Sequence, residues 1–386
     1  MIIQGSVSPG FEPVREVFAA NFGRDDVYRE SGAGFVAYHR GERVVALSGG
    51  YRVPENESPW AADTLVNVWS TTKGATAIVL AWLVDRGVLD YEETVSTYWP
   101  EFAANGKTQI TLGQALSHQA GLSGFAEPVT VDDLYDRERM VSLLANQSPL
   151  HPPGEQTVYH AMTFGFVADE IARRVTGSGI RDLLATEIAG AHDIDFCIGV
   201  GEEEEARAAS VIPPPPQNRE IPADMPHAAV LALTNPLLDA AIANSLEWRR
   251  AELPAANGHA TADGIAGLYH IINTGRTPEG SRILRRRTLS ALKTVRSSRV
   301  DGLLGLPLQW CSGIVRNNIG LYGPNPDTFG HSGWGGSFGC ADSANELSMG
   351  YTCSRMGGEL VGDPRSTALC AAVYQCLEEA RRATRR

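Results

Sequence analysis

Apolar positions along this chain change their spacing twice. Near the N-terminus they come in short runs. Phe35-Val36-Ala37-Tyr38-His39, the turn Arg40-Gly41-Glu42 and Arg43-Val44-Val45-Ala46-Leu47 read as two strands joined tightly. The middle shifts to helical spacing. From Gly74 to Val84 the sequence is apolar nearly all round, which predicts a buried helix over 70–86, closed by Asp85-Arg86-Gly87. Residues 88–190 read as mainly helical with Pro and Gly punctuation. They include one capped helix over 110–118 before Gly121, and helices over 163–176 and 180–189. Glu202 to Glu205 forms a solvated acidic run, and Pro213-Pro214-Pro215-Pro216 extends into a loop. Helical spacing resumes over 229–245 and 260–274. Strand-like runs then return around 305–315, 336–342 and 346–354. Amphipathic helices over 11–23 and 364–382 complete the pattern. Strands at both ends around a helical middle predict one sheet joining the termini, with the helical region inserted.

Composition narrows the function. The 386 residues can bury a large core in two subdomains, and 43% hydrophobic with 20% charged residues fits a soluble globular protein. A net charge of −12 argues against nucleic acid or an anionic membrane as partner. Residues 1–6 lack the basic and apolar regions of a signal peptide, and no apolar run reaches transmembrane length. A cytoplasmic location is therefore expected. Six cysteines without CxxC or zinc-like spacing read as buried free thiols, and nine histidines form no HExxH cluster. Neither a metal nor a cofactor is expected, and the oligomeric state is not readable.

Lysine usage points to the chemistry. The chain has three lysines against thirty arginines, and one stands in Ser70-Thr71-Thr72-Lys73. Arginine keeps its proton in a protein, whereas a desolvated lysine can approach neutrality and act as a base. On a helix, residues three apart share a face, so Lys73 lies within reach of the Ser70 hydroxyl. This is the arrangement of an activated serine nucleophile. A second such tetrad, Ser290-Ala291-Leu292-Lys293, follows Arg285-Arg286-Arg287 on a basic, solvated helix, where no desolvation is expected. Gly335-Gly336-Ser337-Phe338-Gly339 fits the G-x-S-x-G elbow of α/β-hydrolases. No histidine follows residue 331, so Ser337 has no downstream base and is read as scaffold. Asn257-Gly258-His259-Ala260-Thr261 reads as a loop opening a helix, with Thr261 as N-cap. It could instead line the cleft.

Three more segments complete a pattern: Ser117-His118-Gln119-Ala120-Gly121-Leu122, then Tyr159-His160-Ala161, then Gly330-His331-Ser332-Gly333-Trp334. In order and spacing, over nearly the full chain, these resemble the Ser-x-x-Lys, Tyr-x-Asn and Lys-Thr-Gly elements of serine β-lactamases and penicillin-binding proteins. The resemblance is closest to the class C-like branch that includes family VIII carboxylesterases. It implies an α/β fold of the α+β type, with an antiparallel sheet flanked by helices. The sheet domain would comprise 1–68 and 255–386, the helical domain 69–254, and the active site the cleft between them.

The same resemblance implies residue roles. Ser70 would be the nucleophile of an acyl-enzyme, Lys73 its base and Tyr159 a second base or proton relay. The backbone N–H groups of Ser70 and Trp334 would form the oxyanion hole. His331, Ser332, Gly333, Trp334 and Ala161 would contact substrate. From the residues alone, Tyr159 could also be a core tyrosine with a bonded hydroxyl, and His331 a histidine packing on Trp334. Two positions depart from the pattern: His331 replaces the third element's lysine, and Ala161 replaces the asparagine. Both weaken the grip on a β-lactam and favour neutral esters of short or medium acids. Acyl transfer to an amine or alcohol, amidase, β-lactamase or DD-peptidase activity, and a non-catalytic binding role are the alternatives.

Overall fold

A computed structural model describes residues 3–53, 55, 57–216 and 221–384, so Met1 and Ile2 of the N-terminal segment lie outside it. The main sheet is antiparallel and joins the two ends of the chain. Its strands run in the order Ile3–Val7, Glu42–Val53, Gly32–His39, Leu347–Cys353, Phe338–Asp342, Phe329–Ser332, Val315–Arg316, Pro307–Trp310 and Ser297–Val300. Ser58–Pro59 adds to Glu42–Val53 off this path. The hairpin read from the sequence pairs His39 with Glu42. At its turn Arg40 has a φ of 55° and Gly41 of 81°, the double left-handed geometry that matches strand twist.

Side chains alternate across this sheet, and each face has its own cover. Phe35 and Ala37 join Phe18, Val373 and Leu377 in a core beneath helices Glu12–Phe22 and Pro364–Thr384. Val36 and Tyr38 turn the other way, against Ala262 and Ala266 of helix Ala262–Thr274. That helix lies close because glycines remove the sheet's side chains beneath it. A Cβ on Gly339 would sit 2.2 Å from the Tyr269 ring. Thr261 caps this helix as expected, accepting from the Gly264 N–H at 2.9 Å.

The helical region surrounds helix Thr72–Asp85, in which every residue except Val84 is buried. Trp99, Phe102, Leu112, Met140, Phe166 and Ile171 enclose it. The expected capped helix is Leu112–Leu116, with a reciprocal Thr111–Gln114 capping box. Elsewhere the segment from 88 to 190 is less helical than its apolar spacing predicts; short helices alternate with irregular chain. The helix expected over 229–245 splits into His227–Thr234 and Ala240–Asn244, because Pro236 cannot supply a helical N–H. Glu202–Arg207 forms a short helix rather than an unstructured run. Gly258–Ala260 is the middle strand of a small sheet with Val66–Asn67 and Phe196–Ile198, a pairing too short to read from sequence. All six cysteines are free thiols, five buried and Cys197 partly so. Among the described residues no helix is long and apolar enough to cross a membrane.

The close helix–sheet contact gives a stability test. Gly339→Ala should lower unfolding free energy by about 3 kcal/mol through overpacking against Tyr269. Urea denaturation measures it, and an unchanged midpoint would show that the helix moves away freely.

Candidate active site

Ser70 stands in the turn entering helix Thr72–Asp85, and that turn is fixed from both sides. The Thr72 hydroxyl donates to the Trp69 carbonyl (2.5 Å) and accepts from the Gly258 N–H (2.9 Å). On the other side, the Ser337 hydroxyl donates to the Val68 carbonyl (2.9 Å) and lies 3.1 Å from the Thr71 hydroxyl. Gly333 makes this approach possible, since a Cβ there would fall 2.2 Å from the Val68 carbonyl oxygen and 2.3 Å from the Ser337 hydroxyl. The glycine also serves close contact between two protein segments. Trp69, just before the nucleophile, has a φ of 46°. That left-handed backbone costs a non-glycine residue about 1 kcal/mol or more. Its ring is wedged 5.0 Å from Trp334 and 5.4 Å from Trp248, which holds the strained turn in place.

Lys73 is wholly buried and, among the described residues, faces no carboxylate. Its Nζ lies 2.7 Å from the Ala161 carbonyl oxygen, 3.0 Å from that of Ala255 and 3.1 Å from the Ser70 Oγ. Burial alone drives this amine well below the ordinary lysine range. The contacts fit the neutral form. Two carbonyls can only accept, so they take the two N–H bonds of an amine. The third direction is then a lone pair, directed at the serine hydroxyl. In that state Ser70 donates its proton towards Nζ, the posture of a nucleophile with its base.

Tyr159 is buried, and Lys73 Nζ lies 4.8 Å from its ring centroid. Burial pushes the phenol far above its usual range, and hydrogen bonding towards Ser70 opposes that shift only in part. Its hydroxyl completes no geometrically sound hydrogen bond among the described residues. The ring is stacked on Trp310 at 5.5 Å and braced by His118 at 4.8 Å. His118 itself has a φ of 63° and accepts from the His160 N–H at 3.1 Å.

His331 packs against Trp310 and Tyr159, with centroids 5.8 and 6.0 Å away, rather than against Trp334. Its Nδ1 lies 2.8 Å from the Ser332 carbonyl oxygen. Since a carbonyl can only accept, Nδ1 carries the proton and Nε2 presents a lone pair. Burial, reinforced by Lys73, lowers the imidazole to about 3, so it is neutral at physiological pH.

Ser70, Tyr159, His331, Ser332 and Trp334 line one narrow pocket. Among the described residues neither the Ser70 nor the Trp334 backbone N–H donates to a protein acceptor. Ala161 contributes through its carbonyl to Lys73, and Gly333 through close approach to Val68.

The competing pairs come out differently. Ser290 is exposed and bonds within its own helix, to the Arg286 carbonyl at 3.1 Å. Lys293 is not fully solvated, contrary to expectation. It lies 5.4 Å from the Phe329 ring centroid, donates to Ser343 at 3.0 Å, and burial lowers it to about 8. This lysine and serine do not meet. Asn257 is buried in loop hydrogen bonds to Trp248, Ala251 and Leu253.

Two supporting residues carry no sequence signal. Asp301, fully buried, accepts from the Tyr159 and Leu303 N–H groups at 3.2 and 3.0 Å, and from the Trp310 indole at 3.1 Å. It fixes both halves of the stacked pair. Arg365, also fully buried, pairs with Glu30 (3.2 Å) and Asp363 (2.8 Å) and donates to the Gly335 carbonyl (2.9 Å), beneath the turn carrying Trp334. An Asp-Gly turn and a single arginine among thirty gave no reason to single out either.

The antiparallel sheet with its flanking helices defines a serine hydrolase of the β-lactamase fold. The chain belongs to the β-lactamase family, whose profile matches residues 18–372. It is 34% identical over 369 residues to the esterase/β-lactamase LipL of Mycobacterium tuberculosis, spanning 92% of this chain and 84% of that protein. The crystal structure of a family VIII carboxylesterase is 42% identical with a TM-score of 0.91, covering 97% of this chain and 100% of that one. A penicillin-binding protein homologue from Caulobacter crescentus is 37% identical with a TM-score of 0.89, again covering 97% and 100%.

Three outcomes follow from the geometry. Ser70→Ala should abolish ester turnover with the fold intact. Ser337→Ala should stay active but lose about 1–2 kcal/mol of stability with its buried hydrogen bond. The reverse activity pattern would overturn the nucleophile assignment. Lys73→Arg should be nearly as inactive as Lys73→Ala, because guanidinium keeps charge but does not exchange the proton. Because the working form is the free amine with a lowered pKa, wild-type kcat/KM should fall only as pH drops through that lowered value. An activity loss setting in already near the ordinary lysine range would contradict the neutral-amine state.

Proposed function

We propose that this protein hydrolyses carboxylic esters of short to medium acids through an acyl-enzyme on Ser70. The observation that carries the reading is the Ser70–Lys73 contact at 3.1 Å, with the lysine's other two contacts directed at carbonyls. Ser70 Oγ attacks the ester carbon while its proton passes to Lys73. The carbonyl oxygen gains negative charge opposite the Ser70 and Trp334 N–H groups, each such donor stabilising the transition state by about 3 kcal/mol. Tyr159 gives its proton to the departing alkoxide and is reprotonated by the Lys73 ammonium. Water then enters, and the same groups run in reverse to release the acid. Support for esters comes from the carboxylesterase likeness and from LipL, described as both esterase and β-lactamase.

The preference for neutral esters over β-lactams rests on His331. A penicillin or cephalosporin carboxylate would meet the Nε2 lone pair of a neutral ring, where the motif usually supplies an ammonium. Losing a charge-assisted hydrogen bond costs about 1.5–3 kcal/mol, roughly tenfold to a hundredfold in specificity. On one preparation, kcat/KM for p-nitrophenyl butyrate should far exceed that for a chromogenic cephalosporin. His331→Lys should raise the cephalosporin-to-ester ratio by about tenfold. A wild-type preference for the cephalosporin would replace the esterase reading with β-lactamase.

A further inference from the structure

Helix His227–Thr234 reads His-Ala-Ala-Val-Leu-Ala-Leu-Thr, yet only Ala228 and Ala229 are buried. A helix this apolar is ordinarily enclosed on all sides. Its Leu233 lines a cleft of about 610 Å³, walled also by the proline run 213–216, Met225 and Leu303. Clefts of this size accommodate small organic ligands. Among the described lining residues Asp239 alone is ionisable, and its carboxylate is engaged by the Ala241 N–H at 2.9 Å, as the cap of the next helix. The cleft therefore offers apolar surface and little for a charged ligand. At one end it shares Trp334 and Leu360 with the nucleophile's pocket, which measures only about 20 Å³.

We propose that this cleft is the acyl subsite, and that within the short-to-medium range the preferred substrates are esters of the longer, medium-length apolar acids. The inference rests on the acyl-enzyme reading above. Geometry decides which half of the ester enters. The alcohol oxygen must reach the Tyr159 hydroxyl, and Tyr159 lines the narrow pocket but not the cleft. Trp334 belongs to both. An acyl carbon on Ser70 with its oxygen at the Trp334 N–H therefore sends its chain past Trp334 and Leu360 into the cleft. The small alcohol leaves on the Tyr159 side.

Two ester series test this by titration of released acid. Along methyl acetate, butyrate, hexanoate and octanoate, kcat/KM should rise by about tenfold or more, as methylenes leave water. Along acetates of methanol to octanol it should change by no more than about threefold, since that side gains little burial. Leu233→Trp and Met225→Trp, each filling the cleft, should lower the octanoate-to-acetate ratio by about tenfold. The ratio is read within one preparation, so lost folding does not mimic the effect. A fall in kcat/KM beyond butyrate, a rise along the alcohol series instead, or a ratio unmoved by both substitutions would overturn the subsite. Ser70-dependent turnover of methyl acetate reports separately on the esterase reading. Its presence without acyl-length gain would remove only the subsite.

Discussion

Everything at this site depends on one lysine buried without an anion. Holding a charged ammonium there would cost several kcal/mol in lost hydration, and no carboxylate offsets it. Burial lowers its pKa well below the ordinary lysine range, and two of its N–H bonds are taken by carbonyls from separate stretches of chain, Ala161 and Ala255. Those carbonyls set where the lone pair falls. The Lys73 contacts thus exist together only when the Ser70 turn, the Tyr159 segment and the 253–257 loop have come together.

The rest of the pocket continues the same electrostatic logic. His331, like Lys73, has its pKa lowered chiefly by burial. Tyr159 is kept protonated by burial, so the resting site carries little net charge. On the proposed mechanism, charge would appear only during the reaction, on the oxyanion and on Lys73, in a narrow buried pocket where it would interact strongly. Such a site suits a neutral substrate that becomes charged during reaction. The ion pairs of Glu30, Arg365 and Asp363 lie outside it, beneath the Trp334 turn, where they hold backbone.

The sequence revealed much of this through composition and helical spacing. A lysine kept where arginine is otherwise the rule, at the mouth of an apolar helix, led to Ser70 and Lys73 directly. Tyr159 and His331 were legible only through their order and spacing within a larger pattern. The strands 35–39 and 43–47 and the helix 260–274 were readable because their periodicity is regular and their ends carry turn or cap residues. Strands of two to four residues, such as Val315–Arg316, are too short to show a period. Asp301 and Arg365 escaped because their importance lies in what reaches them from distant segments, which no local pattern records. Lys293 shows the converse. It follows an arginine run in the sequence, but the fold places Phe329 beside it and removes much of its hydration.

With only three lysines, the ionisation of Lys73 can be observed directly. Protein carrying ¹³Cε- and ¹⁵Nζ-labelled lysine would give three resonances, and Lys73→Arg would identify the one in question. The Lys73 resonance should be that of a free amine at about pH 7, far below the ordinary lysine value of about 10.4. A Lys73 signal that stays that of an ammonium up to about pH 10 would contradict the neutral base on which the account rests.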